Sequence, residues 1–328
     1  MKILFLIQDD NMPSSRVRVL NLLPGLEREG IQADVITYPK GVSEKIKLII
    51  QCKDFDAVYV QKKLLSPFDT TFLRRFAKRL IFDFDDAIYY KHDAEEVRES
   101  RTRNIKFKYL VHNMDLVITG NRILSDYAKQ FNSNVVIIPS SVETRNIPIK
   151  DYESPHDRVI IGWVGGGINL IHLKLLMPVL QRLSQEYNIE LRILSSKYFD
   201  IPLVKIKFIP WRIDIQKQEI ALFDIGVMPL PHNKHSEGKC GYKALQYMAA
   251  AVPPVVSDVG CNRDILEHGK EGLLVSSIDG FYYAIKALID DKDKRKEMGL
   301  NARKKVEKCF SVHVVGKMLA DVLKTGIF

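Results

Sequence analysis

Cysteine is scarce in this chain: Cys52, Cys240, Cys261 and Cys309 are spread over 328 residues, and no two stand at CxxC spacing. That spacing excludes a thiolate zinc motif and a dithiol redox motif. Scattered single thiols are expected to stay reduced, as in a cytoplasm. No run of eighteen apolar residues occurs, which excludes a helix able to span a membrane. The opening MKILFLIQDDN has a short apolar run that meets two aspartates, so it reads as a first β-strand and not as a signal peptide. Short repeats and low-complexity segments are absent as well. No nucleic-acid-binding motif accompanies the basic charge, so nucleic acid is not an expected partner.

What is present is an ordinary globular composition with 27% charged residues and a net charge of +9. The length suits two domains of about 150 residues each. The basic residues cluster. Lys62–Arg79 holds six Lys or Arg against one Asp, and Arg98–Lys108 holds five against one Glu, with Ile105 and Phe107 interleaved. Each cluster reads as a solvated helix face or as a patch that meets an anionic membrane surface. The expected location is cytoplasmic, with peripheral attachment at the inner face of a membrane as the reading of that patch.

Strand-like and helix-like segments alternate from the start. Strands are expected at Lys2–Ile7, Asp34–Thr37, Ala57–Gln61, Leu80–Phe84, Leu116–Thr119 and Val135–Ile138. Helices are expected at Arg16–Glu29, Lys45–Cys52, Phe68–Ala77 and Asn121–Phe131. Leu80–Phe84 is almost continuously apolar, as in a strand covered on both faces. The segment IPIKDYESPHD at 147–157 has the prolines and polar residues of a linker. The rhythm then restarts with Val159–Val164, a long helix Leu170–Tyr187, and strands at Glu190–Leu194, Lys207–Phe208, Asp224–Met228, Pro254–Ser257 and Gly272–Val275. Three helices close the chain, at Asp279–Leu288, Asp291–Phe310 and Val312–Thr325. The fold class is therefore α/β: two Rossmann-like domains in tandem, each a parallel sheet flanked by helices, with a cleft between them. The expected boundaries are 1–150, 151–310 and a terminal helical segment 311–328.

Three places carry chemistry. Glu237, Gly238, Lys239 and Gly241 form a loop that runs into a helix near Tyr242, a combination of glycine, cation and helix N-terminus that can seat an anion. The plainer reading is a solvated loop with ordinary caps. Gly165, Gly166 and Gly167 lie between a strand and a helix, where a ligand can approach the backbone or the chain can simply turn tightly. In FDFDDAIYY, Asp83, Asp85 and Asp86 crowd the carboxyl end of a strand, and carboxylates so close together require a reason, whether ligand binding or helix capping.

These segments resemble the retaining glycosyltransferases of the GT-B fold, glycosyltransferase family 4 type. IIGWVGGGINLIHLKLL looks like the first strand, glycine loop and helix of a donor domain. FIPW at Phe208–Trp211 resembles the strand end that meets the nucleotide base. FDIGVMPLP at Phe223–Pro231 and EGKCGYKALQYMAAAVPPVVSDVGCNRDIL are the most specific segments. HGKEGLLVSSIDGFYYAIKALIDDKDKRKEMGLNARKKVEKCFS is the usual close of the domain. In the first half SSRVRVLNLLPGLEREGI and VITGNRILSDYAKQ fit more loosely.

The resemblance implies transfer of a sugar from a nucleotide-diphosphate-sugar to a saccharide or lipid-linked acceptor, with retention at the anomeric carbon. It implies no metal and no cofactor, the nucleotide-sugar being a substrate. The donor would lie on the second domain, against Gly165–Gly167, Pro210, Trp211, Glu237, Gly238, Cys240, Gly241 and Gln246. Trp211 reads equally as core. Many relatives carry two glutamates eight positions apart here; in this chain those places hold Gly238 and Gln246, with Glu237 one residue early. The glycine loop also lacks the Arg and Lys that relatives often place there. Lys239 and Lys243 are then the nearest sources of positive charge, and at four residues' separation on a continuous helix they would share one face.

On the first domain, Ser15 and Arg16 follow the first strand and would face the cleft, and Asn121 would contact donor or acceptor. Asp85 or Asp86 would bind an acceptor hydroxyl or stabilise positive charge on the sugar. In relatives the last helix crosses back to the first domain. Two other readings remain at this stage: a nucleotide-sugar epimerase or hydrolase of the same fold, and a binding protein without catalysis.

Overall fold

The computed structural model describes residues 1–92, 97–154 and 157–325. Residues 155 and 156 of the expected linker and the last three residues of the terminal segment lie outside the described residues. The chain divides into two compact units. The first comprises Met1–Ser141, Glu237–Cys240 and the C-terminal segment from Val312. The second comprises Val142–Ser236 and Gly241–Ser311. Glu237–Cys240, expected within a continuous second domain, thus groups with the first unit.

In the first unit, β1 (Lys2–Ile7), β2 (Gln32–Thr37), β3 (Ala57–Gln61), β4 (Leu80–Phe84), β7 (Leu116–Thr119) and β8 (Val135–Ile137) make an all-parallel sheet in the order β2-β1-β3-β4-β7-β8. Strands β5 (Tyr90–His92) and β6 (Val97–Glu99) form a separate antiparallel pair that the sequence pattern did not suggest. The central strands β3, β4 and β7 are buried along their whole length, which is why they read as unbroken apolar runs. One core packs Ile3, Phe5, Tyr59 and Ile118 against Val315, Leu319 and Leu323 of helix Val312–Thr325. The Arg79 guanidinium donates to the Leu323 carbonyl at 2.7 Å, tying that helix to the edge of β4.

In the second unit, β9 (Val159–Gly165), β10 (Ile189–Ser195), β11 (Ile206–Pro210), β12 (Ile225–Met228), β13 (Pro254–Ser257) and β14 (Leu273–Val275) form a second all-parallel sheet. Its order is β11-β10-β9-β12-β13-β14, the doubly wound arrangement whose direction reverses between β9 and β12. In the first sheet the reversal falls between β1 and β3. Ligands of such sheets bind beyond the carboxyl ends of the strands that flank the reversal.

Two long helices expected from periodicity are broken. Leu170–Tyr187 is two helices, Leu170–Lys174 and Met177–Glu186, because Pro178 has no N–H to continue the ladder and sits in the first turn of the second. Arg16–Glu29 becomes Pro13–Arg18, a 3₁₀ turn at Leu20–Leu22 and Leu23–Arg28, with Pro24 again in a first turn. Helix Arg101–His112, read at first only as a basic cluster, is a full element. Its Phe107 is fully buried among Phe84, Tyr89 and Tyr127, so only Ile105 of the interleaved apolar pair faces solvent.

Candidate functional site

The carboxyl ends of β3, β4 and β7 bring the first group of residues together. At β4, Asp83 is fully buried and forms an ion pair with buried Arg18, whose Nε also donates to both carboxylate oxygens at 3.2 Å. A further Arg18 nitrogen donates to the Ile138 carbonyl at 2.7 Å. Burial pushes Asp83 up and Arg18 pulls it back; on the arginine, burial opposes the charge and Asp83 more than restores it. Asp83 is therefore part of the frame, and the three-aspartate cluster reduces to two side chains that reach solvent.

Those two, Asp85 and Asp86, are bridged by lysines. Lys62 Nζ lies 2.9 Å from Asp85 and 3.6 Å from Asp86, and Lys239 Nζ lies 3.8 Å from the other oxygen of Asp86. Burial disfavours the charge on Lys62, but Asp85 and Asp86 outweigh it and raise the amine above the usual lysine range. The backbone of Lys62 has φ of 56°, a left-handed conformation that a side-chain-bearing residue seldom adopts. It is held there because Lys62 N donates to the Asp83 carbonyl at 2.7 Å and the Gln8 amide donates to the Lys62 carbonyl at 3.2 Å. Strain of this kind, about 1–2 kcal/mol, is retained where a structure holds a side chain in place for use. In the sequence Lys62 stood out only as the first residue of a basic cluster directly after an apolar strand, which did not place it beside the aspartates.

Asn121 anchors the remaining part. Its Oδ1 accepts from Leu124 N at 2.9 Å and so caps helix Arg122–Ala128. Its Nδ2 donates to the carbonyls of Gly238 and Lys239, each at 3.1 Å. Asn121, expected to contact donor or acceptor, holds with its amide the segment that carries Lys239. Cys240 packs beside Gly120, where a Cβ would overlap its sulfur, and Gly238 packs on Ala87. Cys240 and Gly238, expected as donor contacts, are thus held by close packing against these neighbours. Ser15, expected to face the cleft, is buried, with its hydroxyl donating to Gln61 Oε1 at 3.2 Å. Arg16 remains partly exposed and donates to the Asn11 carbonyl at 2.7 Å.

Gly120→Ala is expected to destabilise the first unit by about 1–3 kcal/mol, because the new methyl group meets Cys240 Sγ and crowds Asp85 Cα at 3.3 Å. Gly120→Ala/Cys240→Ala removes the obstructing sulfur, and urea denaturation should show it less destabilised than the sum of the two single variants.

The second group lies in the second unit, at the reversal between β9 and β12. Gly165 closes β9 beside Lys243: a Cβ there would lie 2.9 Å from the lysine Cε. Lys243 Nζ sits 5.0 Å over the Trp163 ring. At Gly167 a Cβ would lie 2.6 Å from Cγ of Lys197, and Gly167 N donates to Ser196 Oγ at 3.0 Å. At Gly166 a Cβ would make only an ordinary contact, with Asn169 Nδ2 at 3.9 Å. The glycine turn therefore has two lysines alongside it, Lys243 and Lys197, the second unforeseen because it follows β10 in the chain.

Gly241, at φ of 60°, takes the left-handed position before helix Tyr242–Ala249. The helix starts after Lys239, so Lys239 and Lys243 do not share a helix face as expected. Gln246, three residues after Lys243, is on the same side of that helix. Gly241, the residue at the N-cap position, has no side chain with which to cap the helix. Tyr247 pins the helix to the sheet, accepting from Val164 N at 3.1 Å and donating to the Val227 carbonyl at 3.2 Å. Pro210 ends β11, and the partly exposed Trp211 donates to Gln216 at 3.1 Å, so the tryptophan of the core is Trp163. Glu237, which groups with the first unit, is the last residue of the short helix Lys234–Glu237. A cavity of about 480 Å³ beside Asp157, Val159, Asn188 and Asp224 opens at the opposite, amino ends of the second sheet's strands, away from these residues.

Two parallel six-stranded sheets with helices on their faces, each with its polar residues gathered beyond the strand ends, define a GT-B fold. The comparisons agree. Residues 158–291 match the family model described as Glycosyl transferases group 1. That match runs from β9 to the end of helix Ile278–Asp290 and includes the glycine turn and helix Tyr242–Ala249. Solved structures match over nearly the whole chain. HepE from Anabaena, solved with UDP and glucose, has a TM-score of 0.74 at 16% identity over 99% of this chain and 100% of that one. Sucrose-phosphate synthase from Thermosynechococcus elongatus has 0.77 at 15% over 98% of both. The lipopolysaccharide outer core galactosyltransferase WaaB has 0.69 at 12% over 100% of both. At these identities the likeness concerns the fold. No curated protein sequence matches the chain.

Proposed function

We propose that the protein transfers a sugar from a nucleotide-diphosphate-sugar to a saccharide or lipid-linked acceptor, with retention of anomeric configuration and without a metal. One observation supports this best: the glycine turn after β9, flanked by Lys243 and Lys197, lies beside the strand reversal of a glycosyltransferase group 1 domain. The donor diphosphate binds there, with the lysines and the positive end of the dipole of helix Tyr242–Ala249 taking up charge as the nucleoside diphosphate leaves. Gln246 hydrogen-bonds a ribose hydroxyl and Trp211 borders the base. HepE was solved with UDP and with UDP-glucose, which favours a uridine donor among those to be tried.

In the first unit, Asp85 and Asp86 form the acceptor-side pair. Their charge is balanced by Lys62 and Lys239 in the way a bound cation would balance it. One carboxylate takes the hydrogen bond of an acceptor hydroxyl. The leaving phosphate serves as base, on the face from which it departs.

The test is incubation with UDP-sugars and oligosaccharide or lipid-linked acceptors in EDTA, with the product followed by NMR. The expected result is acceptor-dependent release of UDP and a product whose anomeric coupling matches that of the donor. Rapid turnover without acceptor would instead show an epimerase or hydrolase. An inverted product or dependence on added metal would refute retention or metal independence respectively.

A further inference from the structure

The layer of helices over one face of the first sheet carries an apolar surface that the sugar-transfer reading does not use. The connections β2 to β3, β3 to β4 and β4 to β7 all step in one direction across the sheet. Right-handed crossovers therefore place helices Val42–Gln51, Pro67–Phe76 and Arg101–His112 on the same face. They are neighbours: Lys45 Nζ pairs with Asp69 at 3.1 Å across the first two, and Thr71 Oγ1 meets the Tyr109 hydroxyl at 2.7 Å across the second and third. A side chain exposed on such a layer points away from the sheet.

The exposed side chains include long apolar stripes. On the first helix they are Val42, Ile46 and Ile50, spaced four apart, with Val42 74% exposed. On the second they are Phe68, Phe72 and Phe76, again four apart. Phe68 is 68% exposed and packs against Phe72 with ring centroids 4.4 Å apart and the rings tilted by 45°. Ile105 and Tyr109 continue the surface on the third. Large apolar patches of this kind mark interaction sites. Their surroundings are basic: the three helices hold eight Lys or Arg against Glu44 and Asp69, and Asp69 is buried against Lys45. Lys47, Arg75, Arg101 and Lys108 are all exposed around the stripes.

Aromatic and aliphatic stripes within a field of one charge match a bilayer interface, where apolar side chains enter the acyl boundary and lysines meet anionic headgroups. We propose that this three-helix face docks the protein on an anionic lipid bilayer, with Phe68, Phe72, Val42 and Ile46 inserting. The inference rests on the reading above only in what the membrane would present, a lipid-linked acceptor; the docking itself is tested without sugar transfer.

The experiment is flotation of the full chain with phosphatidylcholine vesicles, with and without phosphatidylglycerol, at low and physiological salt. Light scattering of the protein alone and nucleoside-diphosphate binding are measured on the same samples. The wild-type chain is expected to float with the phosphatidylglycerol vesicles. Phe68→Ser/Phe72→Ser, and separately Val42→Ser/Ile46→Ser, are expected to lower the bound fraction by about tenfold or more. Lys47→Glu/Arg75→Glu is expected to lower it most at low salt. Absence of flotation at low salt would overturn the proposal, as would flotation unchanged in both apolar variants. So would a dimer that Phe68→Ser/Phe72→Ser abolishes while no vesicle binding occurs, which would assign the face to a second copy. Nucleoside-diphosphate binding should be the same in all three variants, so a failure of docking and a failure of the sugar-transfer reading are separately visible.

Discussion

Asp83→Ala is expected to destabilise the first unit by about 3–5 kcal/mol, the cost of leaving a buried charge without its partner. Arg18 is 3% exposed, and in that variant only the Ile138 carbonyl among its named partners would remain. Arg18→Met/Asp83→Leu removes both charges and should recover much of the loss. Asp85→Asn and Asp86→Asn behave differently. Their carboxylates reach solvent and share Lys62 and Lys239, so stability should change by about 1 kcal/mol or less, whereas the transfer rate should fall by about a hundredfold if either meets the acceptor. Urea unfolding and steady-state kinetics on the three single variants separate the roles. Full activity in both asparagine variants would remove the acceptor-side assignment. A stable Asp83→Ala would show that the buried pair does not hold the unit together.

Lys243→Ala carries the second large effect. The lysine flanks Gly165 and stands over Trp163 at the turn after β9. A charge-assisted hydrogen bond to a phosphate is worth about 1.5–3 kcal/mol, or roughly 10–100-fold in affinity. The loss should be larger for a nucleoside diphosphate than for the nucleoside alone, since the contact is to phosphate. Lys197→Ala should act in the same direction. Calorimetric titration of UDP and uridine against each variant provides the comparison, and equal losses for both ligands would mean that Lys243 does not meet the diphosphate.

Much of the architecture could be read from the chain itself. Strands such as Leu80–Phe84 and Val159–Val164 are buried on both faces, so their local composition reports their environment directly. The glycine turn and the start of the helix at Tyr242 were legible for the same reason, since each depends on a few adjacent residues. Features that depend on distant partners were not. Asp83 looks like Asp85 and Asp86 until Arg18, 65 positions earlier, takes it into the core. Lys197 reaches the glycine turn only because β10 lies beside β9. Asn121 reaches Gly238 and Lys239 across more than a hundred residues.

The apolar stripe of helix Val42–Gln51 misleads in another way. Residues spaced four apart ordinarily mark the buried face of a helix, yet here Leu48 and Ile49 are buried while Val42, Ile46 and Ile50 face outward. The broken helices have a local cause that was visible, the prolines at 24 and 178, and periodicity alone overrode it.

The central claim is that the second unit binds a nucleoside diphosphate at the Gly165–Gly167 turn. A ligand that binds only the folded state raises its stability in proportion to the logarithm of its occupancy. The most direct measurement is thermal unfolding of the full chain with a panel of nucleoside mono- and diphosphates and their sugars. The predicted result is a rise in unfolding temperature with at least one nucleoside diphosphate and its sugar, smaller with the monophosphate and reduced in Lys243→Ala. No shift with any of them at millimolar concentration, or a shift that Lys243→Ala leaves intact, would contradict it.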